Sequence, residues 1–217
     1  MSRSWRTVVI AALGVLLAAA AVILALVRHT QSEAQELLHT LASLEVGKST
    51  SADLQRIQQR FRSYQVASDH SGELHVVRFV VTNRPLAALK LEPLAAVTAG
   101  IGTQDGRVVG AGFSLERQVG RGTRAVIVEE SVRHADFLFC NQPYCVGNPI
   151  GKPFVVVRLD ARASAEQKGR AFNVDLSWLT RFRGEPRICD LSPNAWEDWK
   201  AQSPNSVSEL QETYHCP

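Results

Sequence analysis

The sequence predicts an α+β protein that has a single N-terminal transmembrane helix, a short helical pair, and a mainly antiparallel, sandwich-like β domain with disulfides. Three observations favour this fold class. A long uncharged stretch lies near the start of the 217-residue chain, apolar residues then recur at helical spacing, and the period later changes to two residues. Four cysteines in the last part of the chain supply the disulfides.

A stretch of 21 residues without a charged side chain, TVVIAALGVLLAAAAVILALV, occupies positions 7–27. A helix rises about 1.5 Å per residue, so the stretch spans roughly 30 Å, the thickness of the hydrocarbon layer of a bilayer. It predicts a transmembrane anchor after a cytoplasmic arm of residues 1–6. The alternative is a secretory signal cut near Ser32-Glu33-Ala34, but the apolar cores of such signals are usually only about 7–15 residues long. The length favours a retained anchor, or an uncleaved signal, over a secreted protein with a cleaved signal peptide.

Basic residues near the two ends of the span predict its orientation. Arg3 and Arg6 precede it, whereas only Arg28 follows it before Lys48. Because cytoplasmic flanks carry the excess of Lys and Arg, we expect a single-pass protein of the cell membrane with a cytoplasmic N-terminus. The C-terminal domain is then extracytoplasmic, and periplasmic if the cell is Gram-negative. Membrane lipid is the predicted partner of residues 7–27.

The basic balance of the chain belongs to its membrane end. Three of the 24 Lys and Arg residues lie in the first 30 positions, which leaves 21, the same number as the Asp and Glu residues that all follow. A nucleic-acid-binding domain needs a concentrated basic surface, so the neutral external part predicts no nucleic acid as a partner. The local cluster of Arg117, Arg121 and Arg124 is predicted to be the solvated tip of a hairpin.

Residues 28–65 are predicted to form a membrane-proximal helical segment with two helices. Between positions 31 and 46, apolar residues recur at the spacing of one helical face: Ala34, Leu37, Leu38, Leu41 and Leu44. Gly47 suits the end of this helix. A short second helix is expected to follow, because Thr50 and Asp53 have the spacing of a capping box.

The fragment LEVGKSTSADLQRI at positions 44–57 resembles the helix-turn-helix opening of small outer-membrane lipoprotein domains of the BamE type. Those lipoproteins carry a signal cysteine directly after an N-terminal apolar segment. No cysteine precedes Cys140 in this chain. The resemblance therefore implies a local helix-turn-helix and no function.

The remainder, residues 66–217, is predicted to be an extracytoplasmic antiparallel β-rich domain. Apolar and polar or small residues alternate, as in strands that bury one face, in five segments: 74–81, 107–116, 124–131, 153–160 and 171–179. The second and third of these segments are predicted to pair as a hairpin. Residues 86–100 stay unassigned because Pro85 and Pro93 interrupt any regular pattern.

Shorter signals complete the prediction for this domain. Asp69-His70-Ser71 is expected to form a turn before the first strand, and Ser192-Pro193 to begin a helix at 195–200. Gly110 and Gly112 are expected to relieve crowding within a strand. Three tryptophans near the C-terminus are expected in the core rather than on a binding platform: Trp178, Trp196 and Trp199.

The four cysteines are Cys140, Cys145, Cys189 and Cys216. An even number of cysteines outside the cytoplasm predicts disulfides, and four cysteines allow three pairings. The favoured pairing is Cys140–Cys145, around a proline-containing loop, and Cys189–Cys216, which would fasten the C-terminal tail. A zinc site needs a second close pair of ligands, and a redox couple needs Cys-x-x-Cys at a helix N-terminus. The sequence supplies neither, so structural disulfides are the preferred hypothesis.

The sequence contains no recognisable motif for catalysis, a cofactor or a metal ion, so none of these sites is predicted. The leading hypothesis is a non-catalytic binding or structural module of the cell envelope, with envelope proteins as partners. An alternative is an envelope hydrolase in which His75, His134, Asp175 and Asp190 converge in a cleft. A ligand-binding or sensory module is a third hypothesis.

Overall fold

The computed structural model describes residues 3–71, 73–91, 93–119, 122–132, 154–180, 187–202 and 216. The helices are α1 Arg3–Ala42, α2 Ser51–Arg60, α3 Arg84–Ala88, α4 Ala165–Phe172, α5 Ile188–Leu191 and α6 Pro193–Gln202. The strands are β1 Gln65–Ser71, β2 Leu74–Thr82, β3 Ala95–Gln104, β4 Arg107–Val119, β5 Gly122–Ser131 and β6 Phe154–Asp160. Two short 3₁₀ helices cover Arg62–Tyr64 and Leu176–Thr180.

One helix, α1, contains both the apolar span and the first helix of the predicted pair. Its first part is largely exposed, and among the described residues it is the one helix long and apolar enough to cross a membrane. In its second part the predicted face is buried: Ala34, Leu37, Leu38, Leu41 and, just beyond the helix, Leu44. The helix is 40 residues long and has no break where these two parts meet. It ends before Gly47, which has a left-handed φ of 86°.

The predicted second helix begins as expected, at α2. The Asp53 carboxylate accepts hydrogen bonds from the Thr50 backbone N–H, at 2.7 Å, and from the Thr50 hydroxyl, at 3.0 Å. These bonds and the neighbouring Arg56 lower the pKa of Asp53, and the Thr50 backbone bond is the largest cause. The helix packs through Leu54 and Ile57 on the core.

The six strands form one mixed sheet in the order β1-β2-β3-β4-β5-β6. The four pairs from β1–β2 to β4–β5 are antiparallel, as predicted, but β6 is parallel to β5. The expectation of an antiparallel, sandwich-like domain is therefore correct only in part: the described strands make a single sheet, and helices rather than a second sheet cover one face. Strand direction depends on how the chain returns between β5 and β6. The alternation of residues within β6 does not indicate whether this connection makes β6 parallel or antiparallel to β5.

The core lies between this sheet and the helices. A row of directly opposed, fully buried side chains crosses five strands: Phe79, Ala99, Phe113, Val128 and Val157. The ring of Phe61 lies against that of Phe79, and the ring of Phe172 in α4 against that of Phe113, both edge to face. The helices thus cover the face to which the row belongs. Burying a Val or Phe side chain of this row contributes about 1.5–3 kcal/mol.

The predicted strand at 171–179 is wrong. Helix α4 occupies its beginning and the 3₁₀ helix Leu176–Thr180 its end. A capping box starts α4: the Ser164 hydroxyl accepts from the Gln167 N–H at 3.1 Å, and the Gln167 side chain accepts from the Ser164 N–H at 2.9 Å. Ser-x-x-Gln is a sequence signal for a helix start. The alternation of apolar residues led to the wrong prediction of a strand. Trp178 and its apolar neighbours are buried in the core from a 3₁₀ helix, although the same spacing would also bury them from a strand.

The predicted turn at Asp69-His70-Ser71 is also wrong, because these residues belong to β1. The chain reverses after them, between Ser71 and Leu74, which pair across the two strands. Residues 86–100, which the prolines left unassigned, contain the end of α3 and the first part of β3. The helix predicted after Ser192-Pro193 is α6, and the Ser192 hydroxyl accepts from the Ala195 N–H at 3.3 Å.

Gly112 has the role expected of it. A Cβ atom at this position would lie 2.5 Å from the Val128 carbonyl oxygen and 2.8 Å from the Glu129 Cα. Only glycine allows β4 to approach β5 this closely, so Gly112 relieves backbone crowding.

The side chain of Gln202, at the end of α6, covers part of the outer edge of β6. Its Oε1 accepts from the Arg158 N–H and its Nε2 donates to the Arg158 carbonyl, both at 3.2 Å. The side-chain amide of Gln202 thus makes the two backbone hydrogen bonds that a residue of a neighbouring strand would make. An uncovered edge is a template for association with other chains, and Gln202 blocks it at this point.

Candidate functional site

The sheet has two ends that differ in chemistry. We call the end where β2 finishes and β3 begins the proximal end, because α1 first meets the domain there. The Gln31 amide donates to the Thr180 hydroxyl at 2.7 Å at this end. At the opposite, distal end α1 has finished, and the Gly47 N–H donates to the Val108 carbonyl at 2.7 Å.

Asn83 organises the proximal end. It is fully buried, and its Oδ1 accepts from the Ala95 N–H at 2.8 Å. Its Nδ2 donates to the carbonyls of Pro93 and Leu179, each at 2.9 Å. One side chain therefore joins the start of β3, the α3–β3 connection and the 3₁₀ helix Leu176–Thr180. A buried amide with such partners is favourable, whereas loss of the partners would leave costly unpaired groups.

Arg117 is the second buried polar group at this end. Only 2% of it is exposed, and its Nη1 donates to the Trp178 carbonyl. The prediction of a solvated hairpin tip is therefore wrong for Arg117. Residue 117 lies on the helix-covered face of β4, opposite Ala95, and its long side chain reaches the 3₁₀ helix. Arg121 lies outside the described residues, and the description of Arg124 is limited to its backbone in β5.

A cleft at the distal end contains a buried ion pair. The Lys168 ammonium contacts the Glu130 carboxylate and also donates to the Leu44 carbonyl beyond the end of α1. Both side chains are almost fully buried. The cleft has a volume of about 370 Å³, with Glu45 and Lys48 among the residues that line it.

Burial controls the electrostatics of this pair. Desolvation raises the pKa of Glu130, and the hydrogen bond and charge of Lys168 oppose the rise without cancelling it. Lys168 is bound to two oxygens, so it fastens α4 to the end of α1 and to β5. Glu45 and Lys48 form a separate exposed ion pair at 2.7 Å. These contacts are those of a structural junction, and a catalytic lysine would instead need an unoccupied amine.

A second cleft adjoins the first along α1. Its volume is about 390 Å³, and α1 and the segment from α4 to the 3₁₀ helix line it, with Leu38, His39, Phe172 and Val174 among its residues. The lining is largely apolar. Among the described residues of the chain, no group of three His, Cys, Asp or Glu side chains could hold a metal ion.

The structure does not bring the proposed hydrolase residues together. His75 pairs with Thr103 near the distal end, and eight residues of β3, about 26 Å at 3.3 Å per residue, separate Thr103 from Ala95 at the proximal end. Asp175 precedes the 3₁₀ helix that packs at that proximal end, and its carboxylate accepts from the N–H and hydroxyl of Ser177.

The other two residues of the hydrolase hypothesis are Asp190 and His134. Asp190 forms an ion pair with Arg187, three residues earlier in the chain, at 2.9 Å. His134 lies outside the described residues. Sequence analysis missed a different contact of His75: its Nε2 lies 2.6 Å from the Ser68 hydroxyl across the β1–β2 pair.

One disulfide of the favoured pairing is present, between Cys189 and Cys216, with Cα atoms 5.8 Å apart. It closes a loop over 27 residues, for which the chain-entropy model gives about 3–4 kcal/mol of stabilisation. Cys140 and Cys145 lie outside the described residues. The three tryptophans are buried, as expected of core residues: Trp178, Trp196 and Trp199.

No protein-family model matches this chain, and no curated protein or solved structure is significantly similar to it. The resemblance of residues 44–57 to the BamE-type opening therefore gains no support from a family match. The function has to be argued from the geometry alone.

Proposed function

We propose that this chain is a single-pass membrane protein of the cell envelope, with its N-terminus in the cytoplasm and its sheet domain outside. The domain acts as a non-catalytic binding or structural module held close to the membrane. One observation carries the proposal: α1 is at once an exposed apolar rod long enough to span a bilayer and, without a break, a core helix of the domain.

The continuity of α1 favours a retained anchor over a cleaved signal. The Ser32-Glu33-Ala34 sequence lies inside α1, and Ala34 is fully buried. A cut after Ala34 would also remove Thr30, which is buried, and Gln31, which is bonded to Thr180. The folded domain would lose part of its core and its proximal bond.

The same continuity argues for a mechanical role. A flexible linker would let a domain sample many orientations, whereas a helix transmits the orientation of the anchor to the domain. At the proximal end Asn83 and Arg117 join the sheet to the 3₁₀ helix Leu176–Thr180, which Gln31 joins to α1. At the distal end Lys168 joins Glu130 of the sheet to the Leu44 carbonyl just beyond α1. Such a module presents one surface at a set distance from the membrane.

Reporter fusions in a Gram-negative host test the topology. We expect alkaline phosphatase fused after Pro217 to be active, because it matures only outside the cytoplasm, and the fusion to stay in the membrane after an alkaline carbonate wash. As a control, Leu16→Arg with Leu17→Arg places two charges mid-span, at a cost of about 2.5–3.5 kcal/mol each, and should release the fusion from the membrane. An inactive phosphatase with a fluorescent cytoplasmic reporter at Pro217 would refute the proposal.

One observation favours a second candidate, a serine hydrolase. The 2.6 Å contact between Ser68 and His75 has the reach of a nucleophile and its base. A fluorophosphonate probe, which labels activated serines, separates the two functions when applied to the full chain. The leading proposal predicts no labelling above that of a Ser68→Ala variant. Labelling that both Ser68→Ala and His75→Ala abolish would establish the hydrolase instead.

A further inference from the structure

The connection between α3 and β3 exposes three leucines within six residues. Leu89, Leu91 and Leu94 are 58%, 37% and 42% exposed. Arg84 and Lys90, both exposed, flank or interrupt them, and the sequence also places Glu92 directly after Leu91. We call these leucines the proximal apolar patch. Single exposed leucines are ordinary, but three together with basic neighbours are typical of a segment that contacts a membrane surface or another protein.

A chain of hydrogen bonds connects this patch to α1 just beyond the apolar span. Asn83 binds the carbonyl of Pro93, next to Leu94, and also that of Leu179, next to Thr180. Thr180 in turn accepts from Gln31. Gln31 lies four residues beyond Val27, the last residue of the span, or about 6 Å along the helix axis at 1.5 Å per residue.

That height lies within the headgroup layer. A bilayer of about 40–45 Å with a hydrocarbon core of about 30 Å leaves roughly 5–8 Å of headgroups on each side. Helix α3, which directly precedes the patch, packs against α1. The patch therefore lies beside α1 at the level of the headgroup layer.

The covered face of α1 gives an independent indication of the same depth. Ile23, Leu26 and Val27 are only partly exposed, whereas Leu24 between them is 55% exposed. Their spacing continues the face of Thr30, the first buried residue of the domain part. The side of α1 that the domain buries at Thr30 therefore continues into the last turn of the span, which agrees with a proximal end close to the bilayer surface.

We infer that the proximal apolar patch inserts into the outer headgroup layer of the membrane that α1 crosses, with Arg84 and Lys90 at the phosphates. This inference rests on the proposed function, since it needs α1 in a bilayer. The patch gives the domain a second membrane contact beside the anchor. Two contacts fix the tilt of the domain and hold its sheet at one angle to the surface.

Site-specific photocrosslinking of the full chain tests this inference. Benzoylphenylalanine replaces Leu89 or Leu91 in separate variants, reconstituted in vesicles of phosphatidylethanolamine and phosphatidylglycerol. The matched control is Val132, 49% exposed at the distal end, and the anchor control is Leu16 in the span. All four positions are exposed, so the probe should leave the fold intact, which an unchanged denaturation midpoint verifies.

We expect the probe at Leu89 and at Leu91 to give at least about tenfold more lipid adduct than at Val132, because an interfacial side chain resides in the lipid phase. Strong adducts at Leu16 with yields at Leu89 and Leu91 no higher than at Val132 would overturn this inference alone. Yields at Leu16 as low as at Val132 would overturn the anchor, and the inference with it. Crosslinks from Leu89 and Leu91 to a second copy of the chain instead of lipid would overturn the inference and show that the patch is a dimer contact.

Discussion

The two parts of α1 use the same residue types in different environments. Leu16 and Leu17 in the span are 65% and 71% exposed, whereas Leu37 and Leu41 in the domain part are fully buried. In the span every side of the helix is apolar, which is typical of a helix that crosses a membrane. In the domain part only one face is apolar, and Glu36 forms an ion pair with Arg60 of α2 on the outside, at 2.6 Å. In the proposed topology the helix passes from lipid to core without interruption, and only the width of its apolar face changes.

The largest expected effect concerns the contact that holds the end of the domain part of α1. Lys168→Met should lower the free energy of unfolding by about 3–5 kcal/mol, because it leaves the buried Glu130 carboxylate without its partner. Denaturation of the full chain in detergent micelles, followed by tryptophan fluorescence, measures the loss. Adding Glu130→Leu should restore most of it. Lys48→Met, which breaks the exposed pair with Glu45, is the matched control; an equal loss in both single variants would contradict a structural role for the buried pair.

The next effect compares one leucine from each part of α1. Leu37→Ala should destabilise the domain by about 2–5 kcal/mol, because it leaves a cavity in the core. Leu16→Ala removes the same atoms from the span and should leave the unfolding midpoint of the domain unchanged. The same fluorescence assay reports both variants. Equal midpoint shifts would mean that the two parts of the helix are not environments of different kinds.

Sequence patterns predicted those parts of the molecule that depend on local periodicity. The apolar span, the buried face from Ala34 to Leu44, the Thr50–Asp53 cap and four of the strand segments follow from spacing alone. The direction of β6 depends on a connection that alternation does not encode. The prediction of a strand at 171–179 was wrong because an extended strand and a 3₁₀ helix can bury the same side chains in a core.

The polar contacts of the candidate site were beyond sequence analysis for a different reason. Asn83, Arg117, Glu130 and Lys168 carry no motif, and each is buried only because distant segments bring it a partner. The partners are far apart in the sequence: 96 residues separate Asn83 from Leu179, and 61 separate Arg117 from Trp178. The sequence signals that existed were weak: an Asn before Arg-Pro, and paired glutamates at the end of a strand.

We expect a smaller loss of unfolding free energy from a change at Gln31, where the two parts of α1 meet. Gln31→Ala removes the hydrogen bond to Thr180 and should cost about 0.5–1.5 kcal/mol of unfolding free energy. The control is Gln35→Ala, one turn further along and exposed, which should cost less. A double-mutant cycle with Thr180→Val measures the coupling between the two side chains. A coupling free energy of zero would show that the bond does not fasten α1 to the 3₁₀ helix.

The pH dependence of stability tests the environment of Glu130 at the distal end. Burial raises the pKa of Glu130 above its ordinary value of 4.5, so the folded state binds the proton more tightly than the unfolded chain. Its contribution to stability is therefore greatest below pH 4.5 and is lost as the pH rises through the raised value. Asp53 behaves oppositely: its pKa is lowered from 3.8, so its contribution is lost only as the pH falls below that value.

Unfolding midpoints of the wild type and of Glu130→Gln, measured from pH 4.5 upward, test this assignment. The wild type should lose stability relative to the variant as the pH rises. Parallel curves for the two proteins would show that Glu130 does not titrate in this window.

Hydrogen exchange along α1, measured by mass spectrometry on the full chain in lipid nanodiscs, tests the central claim most directly. In the proposed topology one unbroken helix joins the bilayer to the core of the domain. We therefore expect slow exchange for every amide from Leu24 to Ala34, with no gap between the lipid-protected and the fold-protected parts. A window of rapid exchange at residues 28–31 would reveal a hinge and contradict the account.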